Sequence, residues 1–350
     1  MAMAEIEVLG GGIFGLTVAY CLQKRGAKTR LIEKRSIGAG ASGGVVGALA
    51  PHTPDNWNDK KQFQFESLIA TPKFWAEVDQ LSGLHSGYGQ IGRLVALDTA
   101  RELELAEMRV HTAVDFWHGQ ADWHVVAAAD YAGWAPDTAT GFLSFDTLSA
   151  RIDPQAACAS LARAFQAIGG EIVFGETEGR GAGVLVLCTG YEGIAGLSVE
   201  MNSNLGKGVK GQGLLLDYNA GDVPQLFASG IHFIPHTNGS VAIGSTSEID
   251  WINPKQTDAQ LDDLHSRARA ICPALADAAI IQRWAGVRPR ARKRSPMLGP
   301  HPQRDGVFIA NGGFKIGFGV SVKVGEVMAD LILNGQADIP VGFSVAANLE

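Results

Sequence analysis

Ile6-Glu7-Val8-Leu9-Gly10-Gly11-Gly12-Ile13-Phe14-Gly15 is the stretch that decides the fold. It predicts a short buried strand over Ile6 to Leu9, a tight glycine turn, and a helix over Leu16 to Arg25 that stops at Gly26. A second strand, Thr29 to Ile32, follows and ends on Glu33. Gly10, Gly12 and Gly15 occupy the three glycine positions of G-x-G-x-x-G, and the acidic residue stands 21 positions beyond Gly12. Strand, glycine turn, helix and terminal carboxylate together form the dinucleotide-binding fingerprint, whereas a glycine triplet alone is a common turn.

The chemistry requires these residue types. Gly10 permits the turn, Gly12 lets a pyrophosphate approach bare backbone, and Gly15 lets the helix lie close to the strand. The helix N-terminus, entered at Ile13 and Phe14, offers N–H groups and positive dipole to phosphate. Glu33, followed by Lys34, is placed to accept from ribose hydroxyls, and its charge disfavours the 2′-phosphate of NADP.

Outward from this unit the simple strand–helix rhythm fails. Residues 36–51 form a small-residue loop containing Gly-Ala-Gly-Ala-Ser-Gly-Gly-Val-Val-Gly-Ala-Leu-Ala-Pro. Such a segment allows backbone to approach a flat ligand; a flexible linker is the alternative, set against by the apolar Val45, Val46 and Leu49. Helices are expected around Gln62 to Ile69, Pro72 to Leu81 and Ala100 to Phe116, with a strand near Ile91 to Leu97. Arg151-Ile152-Asp153-Pro154 opens a further helix to Ile168. Strands are then expected at Glu171 to Phe174 and Val184 to Leu187, the latter ending in Cys188-Thr189-Gly190. Val209 to Thr246 reads as antiparallel strands, and Asp258 to Ile271 as a helix. The chain closes with a strand, Val307 to Ala310, the turn Asn311-Gly312-Gly313-Phe314-Lys315-Ile316-Gly317, and a helix to about Leu333.

Composition narrows the function. The 350 residues are 46% hydrophobic and 19% charged, enough for a sizeable core in about two domains. A net charge of -7 does not advertise nucleic acid as a partner. The four cysteines show no C-x-x-C pair or His cluster at ligand spacing, which argues against structural zinc or a disulfide scaffold and fits a reducing cytoplasm. No signal-peptide pattern precedes the first strand, and no apolar run is long enough to span a membrane.

Taken in order, the segments GGGIFG with Glu33, ASGGVVGALAP, RIDP, LCTG, HFIPH, AIGST, WAGVRPR and ANGGFKIGFG resemble the D-amino acid oxidase and glycine oxidase family of flavoproteins. The resemblance implies an α/β fold: a discontinuous Rossmann-like FAD-binding domain, residues 1–50, 150–205 and 285–350, and an α+β substrate domain on an antiparallel sheet, residues 51–149 and 206–284. It implies FAD as cofactor, with the fingerprint holding pyrophosphate, Glu33 the ribose, and Ala41, Ser42 and Val46, Gly47, Ala48 and Leu49 the flavin. Thr189 and Gly190 would pass the phosphates, and Gly313, Phe314, Lys315, Ile316 and Gly317 would point amides at the flavin pyrimidine carbonyl; a simple helix cap is the alternative there.

In the same resemblance Arg288 grips a substrate carboxylate, a task suited to a planar, permanently charged fork. The alternative is a surface arginine, since Arg288, Arg290, Arg292, Lys293 and Arg294 form a basic run. His232 stands where glycine oxidases usually place a tyrosine, Lys315 where they tend to carry a second arginine, and His236 where arginine is common. His52, His232 and Lys315 are candidates to tune amine protonation or stabilise reduced flavin. The expected partners are a small amine or amino acid and an electron acceptor, oxygen or another. Two rival readings remain: an oxidase of carboxymethylaminomethyl-modified tRNA, whose ASG-x-x-x-GALAP loop is also similar, and a flavin-binding protein without amine turnover.

Overall fold

The computed structural model describes residues 6–175 and 183–350. The fingerprint folds as a strand–turn–helix–strand unit: β1 (Ile6–Leu9), α1 (Ile13–Lys24) and β2 (Thr29–Glu33). After the small-residue loop come β3 (Ala48–Leu49), α2 (Asp59–Ser82), β4 (Arg93–Leu97), α3 (Ala100–Trp117), β5 (Trp123–Ala127), β6 (Phe142–Asp146) and β7 (Ala150–Arg151). The chain returns through α4 (Pro154–Ala167), β8 (Glu171–Phe174), β9 (Val184–Leu187) and α5 (Gly190–Glu200). It then builds β10 (Gly206–Asp217), β11 (Gln225–Ala228), β12 (Ile231–Pro235), β13 (Ser240–Gly244), α6 (Ala259–Ile271) and β14 (Ala279–Ala291). It ends with β15 (Met297–Pro300), β16 (Val307–Asn311), α7 (Gly317–Asn334) and α8 (Val345–Leu349).

Two sheets organise these elements. One has the order β15-β16-β9-β1-β2-β8 and is parallel except where β15 meets β16. The other has the order β14-β10-β13-β12-β11-β4-β6-β5, antiparallel except between β11 and β4. In the first sheet β1 lies between two parallel neighbours, so Ile6 and Val8 are buried, and α1 and α7 cover it. This is the α/β, Rossmann-like arrangement with an antiparallel sheet expected from the sequence.

The structure departs from the expected elements in several places. The two helices expected around Pro72 are one helix, α2, which carries Pro72 in its interior. Pro72 withdraws one backbone donor, but Phe63, Phe65, Leu68, Trp75 and Val78 on both sides of it are buried in the core that α2 shares with α4 and α7. Packing outweighs the lost turn of hydrogen bonding. Helix α5, rich in glycine at its start, and strands β5 and β6 were not foreseen. The boundary expected at residue 285 falls within β14, a continuous thirteen-residue strand paired along its length with β10.

Candidate active site

A cavity of about 370 Å³ runs from the fingerprint to the face of the larger sheet. At its first end the walls are mostly backbone. Gly10 adopts φ +114, and a Cβ there would stand 2.4 Å from the Cys188 carbonyl. A Cβ on Gly15 would stand 1.9 Å from the Gly10 carbonyl oxygen, so only glycine lets α1 begin beside β1. The N–H of Ile13 donates to Ser42 Oγ at 2.9 Å, tying the helix start to the small-residue loop. Glu33 is buried and accepts from the Gly11 N–H at 2.6 Å and the Arg35 N–H at 2.8 Å. Lys34 and Arg35 stand at the rim, paired with Glu192 at 3.6 and 2.9 Å.

The loop from residue 36 to 51 is a wall and not a linker. Its Val45 carbonyl accepts from His236 Nε2 at 2.9 Å, and the Gly47 carbonyl accepts from the Ile152 N–H at 3.0 Å. His236 therefore braces the loop and does not face the cavity mouth. Ala41, Ser42, Val46, Gly47 and Ala48 line the cavity, whereas Leu49 is fully buried behind them.

At the other end the walls are side chains on one face of the larger sheet. Register sets that face: Arg288 pairs with Val209, Gly213 with both Trp284 and Gly244, and His232 with Gly244. Directly paired residues share a side, so Trp284, Arg288 and His232 project together. Gly211 makes room for the guanidinium, since a Cβ there would lie 1.9 Å from Arg288 Nη1. Arg288 donates to the Thr246 carbonyl at 3.3 Å and to Ser245 Oγ at 2.6 Å. Among the described residues no carboxylate lies within ion-pair distance of it. Burial lowers its pKa to about 10, which leaves it a cation at neutral pH.

Lys315 stands beside it on the turn before α7, over the Phe314 ring at 5.7 Å, and burial and then Arg288 push its ammonium below the usual lysine range. Arg290 lies over the other reach of the same ring at 5.8 Å. His232 is pushed down to about 3, chiefly by burial, then by Arg93, Lys315 and Arg288. It is a neutral imidazole at physiological pH, tilted against the Phe227 ring with centroids 4.6 Å apart, and its buried Nδ1 has no partner among the described residues.

Of the residues singled out from sequence, Gly10, Gly12, Ile13, Phe14, Glu33, Lys34, Thr189, Gly190, Gly313, Phe314, Lys315, Gly317 and Arg288 all line this cavity. Gly15 sits at the strand–helix contact and Ile316 caps α7, both just outside it. His232 lies on the cavity face of the sheet without lining the cavity. His52 is apart: its backbone N–H and Nδ1 both meet Gln64 Oε1 on α2, and burial lowers its pKa. Sequence reasoning missed Arg35, Tyr191, Glu192, Ser245, Trp284 and Asn311, which also line it. Trp284, Ser245 and Asn311 carried a signal, as members of the WAGVRPR, AIGST and ANGGFKIGFG segments.

A cavity with a glycine-built phosphate cradle at one end and an open guanidinium at the other fits a long dinucleotide with a substrate beyond it. Residues 5–331 match the family described as FAD dependent oxidoreductase, DAO. The chain belongs to the DAO family. The chain is similar to a glycine oxidase of Bacillus licheniformis, 26% identical over 93% of this chain and 92% of that protein. The crystal structure of glycine oxidase from Geobacillus kaustophilus covers 99% of each chain with a TM-score of 0.85 at 20% identity. That of L-proline dehydrogenase from P. horikoshii covers 98% of this chain and 97% of its own, with a TM-score of 0.82 at 20% identity. This DAO protein is thus an FAD-dependent oxidoreductase of the group that acts on amines and amino acids. Among its described residues no helix is long and apolar enough to cross a membrane.

Proposed function

We propose that this enzyme oxidises a small amino acid or amine bearing a carboxylate, of the glycine, sarcosine or D-amino acid type, to an imine that water converts to a keto acid. The observation that carries this reading is Arg288: a half-buried cation with a hydrogen-bonding fork turned to the cavity and, among the described residues, no carboxylate at ion-pair distance. Leaving a charge unpaired in low dielectric is unfavourable, and a substrate carboxylate relieves it through two parallel charge-assisted bonds. The six-stranded sheet with its helices is the FAD unit in this reading, and the eight-stranded sheet is the substrate unit.

When bound, FAD supplies the acceptor for a hydride leaving the amine-bearing carbon, at flavin N5. The protein groups bind and orient. Gly10, Gly12 and the N-terminus of α1 would receive its pyrophosphate, Glu33 would accept from its ribose hydroxyls, and the start of α7 at Gly317 would direct positive dipole to the flavin. Arg288 fixes the carboxylate and so the position of the neighbouring carbon. His232 stays neutral behind the cavity wall, while Lys315 would add positive charge that favours reduced flavin. His52 acts only through α2 and the loop. Oxygen or another acceptor completes turnover. Four buried, unpaired cysteines suit a reducing compartment such as the cytoplasm.

The test is the visible spectrum of the purified holoprotein mixed anaerobically with glycine, sarcosine, proline and a panel of D-amino acids. Bleaching by one of them, lost in Arg288→Ala, supports the reading and names the substrate. Flavin bands that survive every amino acid overturn it and favour other amines; salt-sensitive binding of modified tRNA would then point to the basic run, in which Arg292 is already held by the carbonyls of Leu349 and Glu350.

A further inference from the structure

Behind the cavity face of the larger sheet lies a second polar assembly that the reaction itself does not use. Lys210 and Gln212 alternate with Gly211 along β10, so their side chains leave the face that carries Arg288 and point toward α6. There Lys210 Nζ lies 3.2 Å from both Glu248 and Asp258, and Gln212 Nε2 donates to Glu248 at 2.9 Å and to Asp258 at 2.8 Å. Asp258 caps α6, and its backbone N–H donates to Gln212 Oε1 at 2.9 Å. The side chains of Lys210 and Glu248 are 4% and 5% exposed.

A buried ion cluster of this kind is weak evidence for stability, because desolvation consumes most of its attraction. What the cluster does hold is the segment after β13. Glu248 accepts the Thr246 hydroxyl, which also accepts the Gln212 N–H at 2.9 Å, and the backbones of Lys210 and Glu248 exchange two bonds of 2.9 Å. The segment so fixed carries the Thr246 carbonyl and the Ser245 hydroxyl, the two acceptors of Arg288. A carboxylate placed on Arg288 itself would occupy the fork; one placed behind the sheet holds the arginine's seat and leaves the fork open.

We propose that Glu248 is a positioning residue for substrate binding, acting as an acceptor clamp that fixes Thr246 and thereby aims Arg288. The inference rests on Arg288 being the carboxylate-binding group.

The experiment uses the FAD-loaded protein and follows the change in flavin absorbance on titration with glycolate, a carboxylate without the oxidisable amine, and with its neutral amide. Glu248→Ala should weaken glycolate about tenfold, because a shifted guanidinium loses one of two aligned bonds. Glu248→Gln keeps acceptors for Thr246 and Gln212 and should stay within about threefold of the native Kd. Binding of the amide and the maximal rate of flavin reduction should hardly change in either. Thr246→Val removes only the hydroxyl link and carries the test if Glu248→Ala does not fold; several-fold weaker glycolate is expected. Native affinity in Glu248→Ala and Thr246→Val, while Arg288→Ala is weakened, overturns the clamp. Equal loss in Glu248→Gln and Glu248→Ala also overturns it, since charge and not the acceptor would then be the cause. Arg288→Ala with native glycolate affinity overturns the underlying reading and this inference with it.

Discussion

The two ends of the cavity are built on opposite principles. At the end beside β1, the walls are mostly backbone, from the run β1 to β2, the small-residue loop and the turn at Thr189 and Gly190, and the decisive residues are those whose side chains are missing. At the Arg288 end, the walls are side chains from β10, β14, the segment after β13 and the turn before α7, brought together by strand register. The first end leaves no room for a Cβ at Gly10 or Gly15; the second depends on the alignment of strands from distant parts of the chain.

The strongest blow to the first end is Gly15→Val. With a Cβ already 1.9 Å from the Gly10 carbonyl, the larger side chain should push α1 off β1 and yield protein without flavin bands near 450 nm; a yellow variant with native FAD content would show that the turn has slack. Next is Arg288→Ala at the second end. It should retain FAD yet lose about 100- to 1,000-fold in kcat/KM, the range for truncating one partner of a buried charge pair. Loss of FAD together with activity would mean that the two ends are not separable.

A smaller effect concerns acid stability. The pKa of His232 is pushed to about 3, below its ordinary 6.5, so the stability tied to its neutral form is complete above pH 6.5 and is lost as pH falls from 6.5 toward 3. At pH 5 the loss amounts to about 2 kcal/mol, and His232→Gln should flatten this part of a urea-midpoint-against-pH curve. An unchanged slope would place the imidazole in water. The least effect is expected far from both ends: Thr99→Ala removes the capping box of α3, in which Thr99 Oγ1 receives the Glu102 N–H at 3.2 Å. It should cost about 1 kcal/mol and leave flavin content and kinetics alone.

The same contrast explains what could be read from the chain alone. The phosphate cradle was legible because consecutive residues determine a turn: Gly10, Gly12, Gly15 and Glu33 need no knowledge of what lies across the sheet. The single helix through Pro72 was hidden because its stability comes from burial against α4 and α7, which overrides the local break. His52 was singled out for its residue type near the loop, yet Gln64 on α2 claims it. Ser245, Gly211 and Glu248 carried little signal, for their roles exist only once β10, β13 and β14 are in register.

By itself, then, the sequence determined the chemistry of the N-terminal turn, the α/β class and, by resemblance, the flavoprotein family, and it singled out Arg288 as a candidate carboxylate ligand. Tertiary structure decided which cations face the cavity, that His232 is neutral, and that a carboxylate behind the sheet holds the seat of Arg288. The physical reason is range: backbone conformation follows from neighbouring residues, whereas burial, charge balance and side-chain aim are properties of strands that meet from distant parts of the chain.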